Sequence, residues 1–377
     1  MNWTFERVFY GSKEGLNLKS MWDFLMRGFY PIPYTLFTGY YRAVYRVGDH
    51  DSLYTRITKP FPDAVLAQRP EGKLALQLSG GFDSSLVAKL YDREDVDYIH
   101  FTGPESYKAR ALAKTLKGTL HEIQITPELF LREADELMPR MAEPYTFEDV
   151  VYCYIASKKA RELGHTTIVT GDGGDWVFGG YNVGRGSADA ESADIWKTLE
   201  PNRLLGLNSL QPLGHHVLDL WSQTTLQPHE RTPHKLFARR YCRELGMPEE
   251  IVTQQKVPWA GSHGIRTHEQ VLAHFAAAVD NSDYYWIREF AFPRRPVIDL
   301  AFRQYGLVKW LQANYKSHLD ASELQNLSRQ VRELNVQEGK AASIGRRKET
   351  VKRYCPPVVL PAMYRMRDWL AKPYAEV

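Results

Sequence analysis

The chain has 377 residues, a length that suits about two domains and leaves ample sequence for a sizeable core. Hydrophobic residues make up 44% and charged residues 25%, and a formal net charge of +3 is too weak to argue for nucleic acid. Cys153, Cys242 and Cys355 lie far apart and form no CxxC pair, which argues against a disulfide framework or a zinc site.

Taken in order, residues 1–62 are rich in aromatic side chains and read as a packed, mostly extended arm with a short helix over Ser20–Arg27. Between 63 and 188, strand-like runs (74–78, 97–102, 119–125, 166–170) alternate with helical spacings (84–91, 105–117, 146–163). That alternation predicts a parallel sheet covered by helices on both faces, with ligand at the carboxyl ends of the strands. Ser79, Thr102-Gly103 and Thr170-Gly171 stand at three such ends. The helix over 147–163 has Thr146 as its cap, Asp149 three residues on, a stripe of Val150, Val151, Tyr154 and Ile155, and Gly164 as its stop. Cys153 on that helix reads as a small core residue. From 189 to 377 the pattern is mainly helical, with candidates over Asp194–Leu205, Pro233–Leu245, His268–Val279 and Ser322–Leu334. Lys340–Arg353 carries six Lys or Arg, open between a solvated face or mobile loop and a docking surface for an acidic partner. No apolar run reaches the roughly 18 residues of a membrane span, and no basic stretch leads into an apolar one at the start. No membrane association is expected, and cytoplasm is the default location.

The stretch LALQLSGGFDSSLVAKL (Leu74–Leu90) reads as strand, glycine turn and helix. A helix start offers free N–H groups and the positive end of the dipole, so it attracts anions. Gly80 and Gly81 let the backbone approach a phosphate, and Ser79, Ser84 and Ser85 add hydroxyl donors. Asp83 is repelled by a polyphosphate unless a cation lies between them, which suggests magnesium. A plain connection with Asp83 or Ser84 as the helix cap is the simpler alternative. A second glycine-rich stretch, TGDGGDWVFGGY (Thr170–Tyr181), follows another β-rich run and carries Asp172 and Asp175; a plain turn uses Asp-Gly in the same way.

SGGFDSS resembles the PP-loop of the ATP pyrophosphatase superfamily; it lacks the Gly-Lys pair of a Walker A loop. Thr170–Tyr181 resembles the S-G-E/D-G-S/G-D-E-L/V-F-G-G-Y block of the asparagine synthetase branch, and the two blocks stand in the family's order and spacing. The chain is therefore identified as similar to asparagine synthetase-like PP-loop proteins, relatives of β-lactam synthetases and lasso peptide cyclases. The implied fold is α/β: a Rossmann-like PP-loop region over 63–188 followed by a mainly helical synthetase region over 189–377. The arm contains PIPYTLFTGYYRAVYR (Pro31–Arg46), similar to the segment joining glutaminase and synthetase domains in that family. Since Met1-Asn2-Trp3 stands almost at that linker, the ammonia-generating half is expected to be missing. Nitrogen would then come from free ammonia, a separate glutaminase, or an amine of the substrate, which a precursor peptide would supply.

The resemblance implies ATP and Mg²⁺ as cofactors. It places Leu78, Ser79, Gly80, Gly81, Asp83, Ser84, Ser85, Thr170 and Gly171 around ATP, with the backbone at Thr102 against adenine. Asp83 and Asp175 would hold the metal, Asp172 would take a proton from the attacking amine, and Lys235 would neutralise charge on the α-phosphate and acyl-adenylate. Lys256 is a further phosphate candidate. Trp176 replaces a family glutamate on the substrate side, which implies a larger or more apolar acyl group unless it only packs on the sheet. Tyr181 falls in the same pocket. In SLQPLGHHVLDL (Ser209–Leu220), Leu210 stands for the family's arginine and His215 near its aspartate, a second departure from an aspartate site. His215 and His216 stay open between substrate contacts, a metal pair and ordinary polar groups. The expected function is ATP-dependent amide formation through an acyl-adenylate, as a tailoring amide synthetase or cyclase acting on a specialised metabolite or peptide. The alternatives are an ammonia-dependent asparagine synthetase-type enzyme, a sulfur-transferring PP-loop enzyme (disfavoured because no cysteine neighbours the nucleotide motifs in sequence) and a non-catalytic ATP-binding scaffold.

Overall fold

A computed structural model of the chain describes residues 4–27, 35–47, 61–104, 106–145, 147–178, 188–214, 235–253, 264–290, 297–315 and 320–354. The chain divides into two compact units, Met1–Ile287 with Pro296–His318, and Arg288–Arg295 with Leu319–Val377.

In the first unit the aromatic arm forms an antiparallel ribbon of β1 (Thr4–Leu16) and β2 (Phe37–Val47), with α1 (Leu18–Arg27) between them. Gly11 has φ +94°, and a Cβ there would run into the Gly39 carbonyl oxygen, so glycine is required where the strands pinch together. Asn17 Oδ1 accepts from the Ser20 N–H at 3.0 Å and starts α1. The helix buries Met21, Trp22, Phe24 and Leu25. The fully buried Arg303 donates to the Leu25 carbonyl at 2.9 Å.

The chain then passes through α2 (Phe61–Leu66) into the parallel sheet. Its strands are β3 (Leu74–Gln77), β4 (Val96–Phe101), β5 (Thr119–Ile123), β6 (Thr167–Val169) and β7 (Asn208–Leu210). They lie in the order β5-β4-β3-β6-β7, and every pairing is parallel. Alternate residues of a strand face opposite sides, which sorts the core into two layers. Leu74, Leu76, Tyr98 and Val169 pack towards α2, α3 (Phe82–Leu90) and α4 (Ser106–Ala113). On the other face, Ala75, Ile99, Phe101 and Ile168 pack towards α5 (Pro127–Leu137) and α6 (Asp149–Glu162). The expected α/β architecture is what forms: strand β3 is buried on both sides, as an interior parallel strand must be.

Later come α7 (Gly174–Phe178), α8 (Ala188–Leu204), α9 (Leu236–Glu244), α10 (Glu249–Val252), α11 (Glu269–Asp280) and α12 (Val297–Asn314). Helices α2, α5, α7, α10 and α12 and strand β7 are additions to the sequence expectation. For α5 the cause is local: Thr126 Oγ1 accepts from the Leu129 N–H at 3.2 Å and Pro127 follows at the first turn. Thr146, the expected cap of α6, lies outside the described residues; the helix starts after Glu148 without a side-chain cap and ends at Gly164, with φ +82°.

The second unit contains α13 (Ala321–Tyr354), opened by a reciprocal cap. Asp320 Oδ1 accepts from the N–H groups of Ser322 (2.8 Å) and Glu323 (2.9 Å), while Glu323 Oε2 accepts from the Asp320 N–H at 2.8 Å. The basic run Lys340–Arg353 is part of this helix.

Candidate active site

The strand order reverses direction of growth at β3: the chain goes outward through β4 and β5, then returns to add β6 and β7 on the other side. In such a sheet a crevice opens above the carboxyl ends of β3 and β6. Both glycine-rich loops emerge there.

After β3, Gly80 takes φ +78° and Gly81 becomes the N-cap of α3 in extended conformation. The loop's serines are folded onto its own backbone. Ser84 Oγ donates to the Gly81 carbonyl at 3.1 Å and accepts from the Ser79 N–H at 3.2 Å, and the Ser79 and Ser84 hydroxyls are 2.8 Å apart. Ser79 Oγ accepts from the Gly81 N–H at 3.1 Å. Ser85 Oγ is buried without a hydrogen-bond partner. Leu78 ends the strand with its N–H on the Ile99 carbonyl at 2.8 Å.

After β6, the Thr170 N–H donates to the Leu210 carbonyl at 3.0 Å, so β7 holds this loop from outside. Two glycines let it approach the PP-loop. A Cβ on Gly171 would meet the backbone of Ser84, and one on Gly174 would meet the Asp83 carboxylate. Asp175 sits in the first turn of α7.

These loops deliver Asp83 and Asp175 to one cation. Lys235 Nζ is 2.6 Å from each oxygen of Asp83 and 2.8 Å from Asp175 Oδ1. Lys235 is 5% exposed, at the start of α9, with φ +50°; it is the non-glycine residue of positive φ among those described. A left-handed lysine is strained backbone, held where the surroundings over-determine it. Burial by itself would lower the pKa of its ammonium, but the charges of Asp83 and Asp175 outweigh that and raise it above the usual lysine value.

A second pairing stands beside the first. Asp172 Oδ1 is 2.9 Å from Lys197 Nζ of α8, and Asp172 Oδ2 accepts from Thr170 Oγ1 at 2.8 Å. Lys197 also lies 3.6 Å from Asp149 at the start of α6. Both oxygens of Asp172 are thereby engaged. Lys197 had no motif to mark it; a lone lysine in a predicted helix carries no signal of its own.

Thr102 is at the carboxyl end of β4, where its N–H donates to the Ile123 carbonyl at 2.9 Å, beside rather than within the Asp83 cluster. Tyr181, His215, His216 and Lys256, and the side chain of Trp176, lie outside the described residues. Cys153 is buried in α6, and burial pushes its thiol well above the ordinary range, which agrees with a core role. Cys242, distant in sequence from Asp83 and about two turns of α9 beyond Lys235, comes within electrostatic reach of both. Burial first and the Asp83 charge second push its thiol up to about 12, so no thiolate is available there.

Among the described residues no group of three or more His, Cys, Asp or Glu can hold a metal by itself. The pair Asp83–Asp175 is instead a hard-oxygen donor set of the size that magnesium uses when phosphates supply its other ligands.

The asparagine synthase family model matches residues 60–257, more than half of the chain, and spans both loops and Lys235. The chain belongs to the asparagine synthase family. It is 28% identical over 196 residues to a probable asparagine synthetase (glutamine-hydrolyzing) of Dictyostelium discoideum, covering 42% of this chain and 34% of that one. With asparagine synthetase (glutamine-hydrolyzing) 1 of Saccharomyces cerevisiae it shares 23% identity over 349 residues, covering 70% of this chain and 60% of the relative. The chain thus spans between about a third and three-fifths of the length of these curated relatives. Among solved structures, that of NMN synthetase from Francisella tularensis overlays with a TM-score of 0.30 at 13% identity, covering 73% of this chain and 100% of that one, a likeness too weak to carry an argument. No helix among the described residues is long and apolar enough to cross a membrane.

Proposed function

We propose that the chain is an ATP-dependent carbon–nitrogen ligase that activates a carboxylate as its acyl-adenylate. The observation that carries this reading is the meeting of Asp83, from the loop after β3, with Asp175, from the loop after β6, on the buried ammonium of Lys235. A substrate carboxylate oxygen attacks the α-phosphorus of ATP, the bond to the bridging oxygen breaks, and pyrophosphate leaves. An amine or ammonia then attacks the acyl carbon; AMP departs, one proton is released and an amide or lactam forms.

Ser79, Gly80, Gly81, Ser84 and Ser85 cradle the leaving pyrophosphate, with the partnerless Ser85 hydroxyl as a donor held ready. Leu78, Thr170 and Gly171 line the nucleotide, the Thr102 backbone meets adenine, and Lys256 is a further phosphate contact. Asp83 and Asp175 hold Mg²⁺, which when bound neutralises phosphate charge. Lys235 stabilises negative charge at the α-phosphate. Asp172, clamped by Thr170 and Lys197, faces the nucleophile and takes its proton.

The acyl substrate is read as a specialised metabolite or peptide rather than aspartate. Leu210, which stands where the family carries an arginine, is 5% exposed and packed in the core beside Val169 and Leu213, so it offers no cation to a substrate carboxylate. Trp176, Tyr181 and His215 complete the proposed pocket. Ammonia as nucleophile, free or from a separate glutaminase, is the second reading, favoured modestly by the carboxylate of Asp172, since the lactam-forming relatives resemble this block but carry a tyrosine at that place.

The test is to follow α-labelled ATP with Mg²⁺ and host small-molecule extract, with and without ammonium. Substrate-dependent AMP supports adenylation, and its dependence on ammonium separates the two nucleophiles. Production of ADP alone overturns the reading.

A further inference from the structure

Two carboxylates with one ammonium between them leave an unusual charge count. Asp83 and Asp175 are 21% and 13% exposed at their side chains, and Lys235 is more buried than either. Its Nζ lies between the two carboxylates, hydrogen-bonded to both Asp83 oxygens and ion-paired with Asp175 Oδ1 at 2.8 Å. Any metal ion shared by both carboxylates has to stand in that same space. We propose that Lys235 is the resting occupant of this cation position, and that its ammonium and a divalent metal exclude each other there until nucleotide phosphates arrive to take the ammonium. This rests on the ATP-dependent reading above, and adds that the metal does not bind ahead of the nucleotide.

The physical case has three parts. A dication added while Lys235 stays would place like charges a few ångströms apart in a poorly solvated site, with nothing extra to offset them. Phosphates change the balance, because they supply enough negative charge for the metal on the carboxylates and the ammonium beside them. Lysine also suits an exchange of posts: its charge rides on a flexible four-carbon stem, and its backbone here is left-handed and strained. The carboxylate is less free to move, since Gly174 packs directly under Asp83. Among the described residues Arg239, with its guanidinium carbon 5.6 Å from the centroid of the Phe82 ring that Lys235 Nζ approaches to 5.8 Å, adds positive charge within reach of Asp83 and so works against an unaccompanied metal.

Mn²⁺ as probe, with the full chain and its Lys235→Met variant, provides the test. Free Mn²⁺ is counted by electron paramagnetic resonance, with and without a non-hydrolysable ATP analogue and against a protein-free blank that corrects for Mn²⁺ chelated by the analogue itself, and thermal unfolding is read in parallel. Wild type should bind Mn²⁺ alone at least about tenfold more weakly than with the analogue, a coupling of ordinary size. K235M should bind Mn²⁺ alone more tightly than wild type and gain thermal stability from Mn²⁺ alone, where wild type gains none. Equal Mn²⁺ affinity of wild type with and without the analogue overturns the exclusion while leaving ATP binding intact, and that measurement stands even if the variant does not fold. Wild type that binds neither metal nor analogue overturns both this inference and the ligase reading.

Discussion

The two ends of the parallel sheet treat their carboxylates in opposite ways. At the amino end, Asp97 of β4 accepts from two histidines, His121 Nε2 and His165 Nε2, each at 2.7 Å. At the carboxyl end, two aspartates share one lysine. Asp97 is one acceptor with its partners in excess, a closed arrangement that ties β4 to β5 and to the segment before β6. At the upper cluster two carboxylates converge on one buried lysine, with Arg239 within electrostatic reach of Asp83. The carboxyl end of an open parallel sheet is also where ligands bind. The lower cluster therefore reads as structure and the upper one as a place for ligand.

Substitutions can break that contrast. The largest effect belongs to Asp83→Ala, which removes a carboxylate proposed to hold metal and should abolish substrate-dependent AMP formation; retained turnover of labelled ATP rejects the metal assignment. Next is Lys197→Met, which unclamps Asp172. Misplaced acid–base groups cost on the order of 100-fold, so amide formation should fall by about that factor while affinity for the ATP analogue holds, and Lys197→Arg should recover part of it. Unchanged product formation in K197M removes Lys197 from the site.

Asp97→Asn should leave ATP binding alone and lower stability by about 1 kcal/mol through its weakened histidine bonds. Burial acts to raise the Asp97 carboxyl's pKa, but the hydrogen bonds from His121 and His165 outweigh it and hold the group below the usual carboxylate range. A depressed carboxylate stabilises the fold above its unfolded pKa, near about 4, and that contribution fades as pH falls through the lowered value. The stability gap between wild type and D97N, read by urea unfolding, should therefore close in acid; a gap that widens there contradicts the lower cluster's assignment. Of similar size is Thr126→Ala, which removes the α5 cap for about 1 kcal/mol, visible in the melting temperature and not in nucleotide affinity.

Legibility in the sequence followed distance along the chain. The PP-loop was readable because its work is done within seven residues: strand, two glycines, and serines that bond one another. The alternation of strands and helices was readable for the same reason. Strand β7 was not, since three residues show no period and only their parallel pairing with β6 makes them a strand. Lys235 was identified by resemblance alone, and Lys197 not at all, because what gives each its meaning is a carboxylate on another element. Cys242 shows the converse: far in sequence from both glycine-rich loops, it sits near Asp83, and only its burial settles that it is inert.

The bond between Asp83 and Lys235 spans 152 residues. As the chain leaves the ribosome, the PP-loop can form once β3 and α3 are out, but its charge partner is not synthesised until α9 begins. Between those moments β4, β5, β6 and β7 must be made and β6 must find its place beside β3. Long-range parallel pairing of this kind is slow. The nascent protein therefore passes through a stage with the glycine–serine loop made and no lysine or second carboxylate, and on the proposed reading competence for Mg²⁺·ATP comes only after that stage. Loss of metal–nucleotide binding in a destabilised variant should precede loss of the sheet itself.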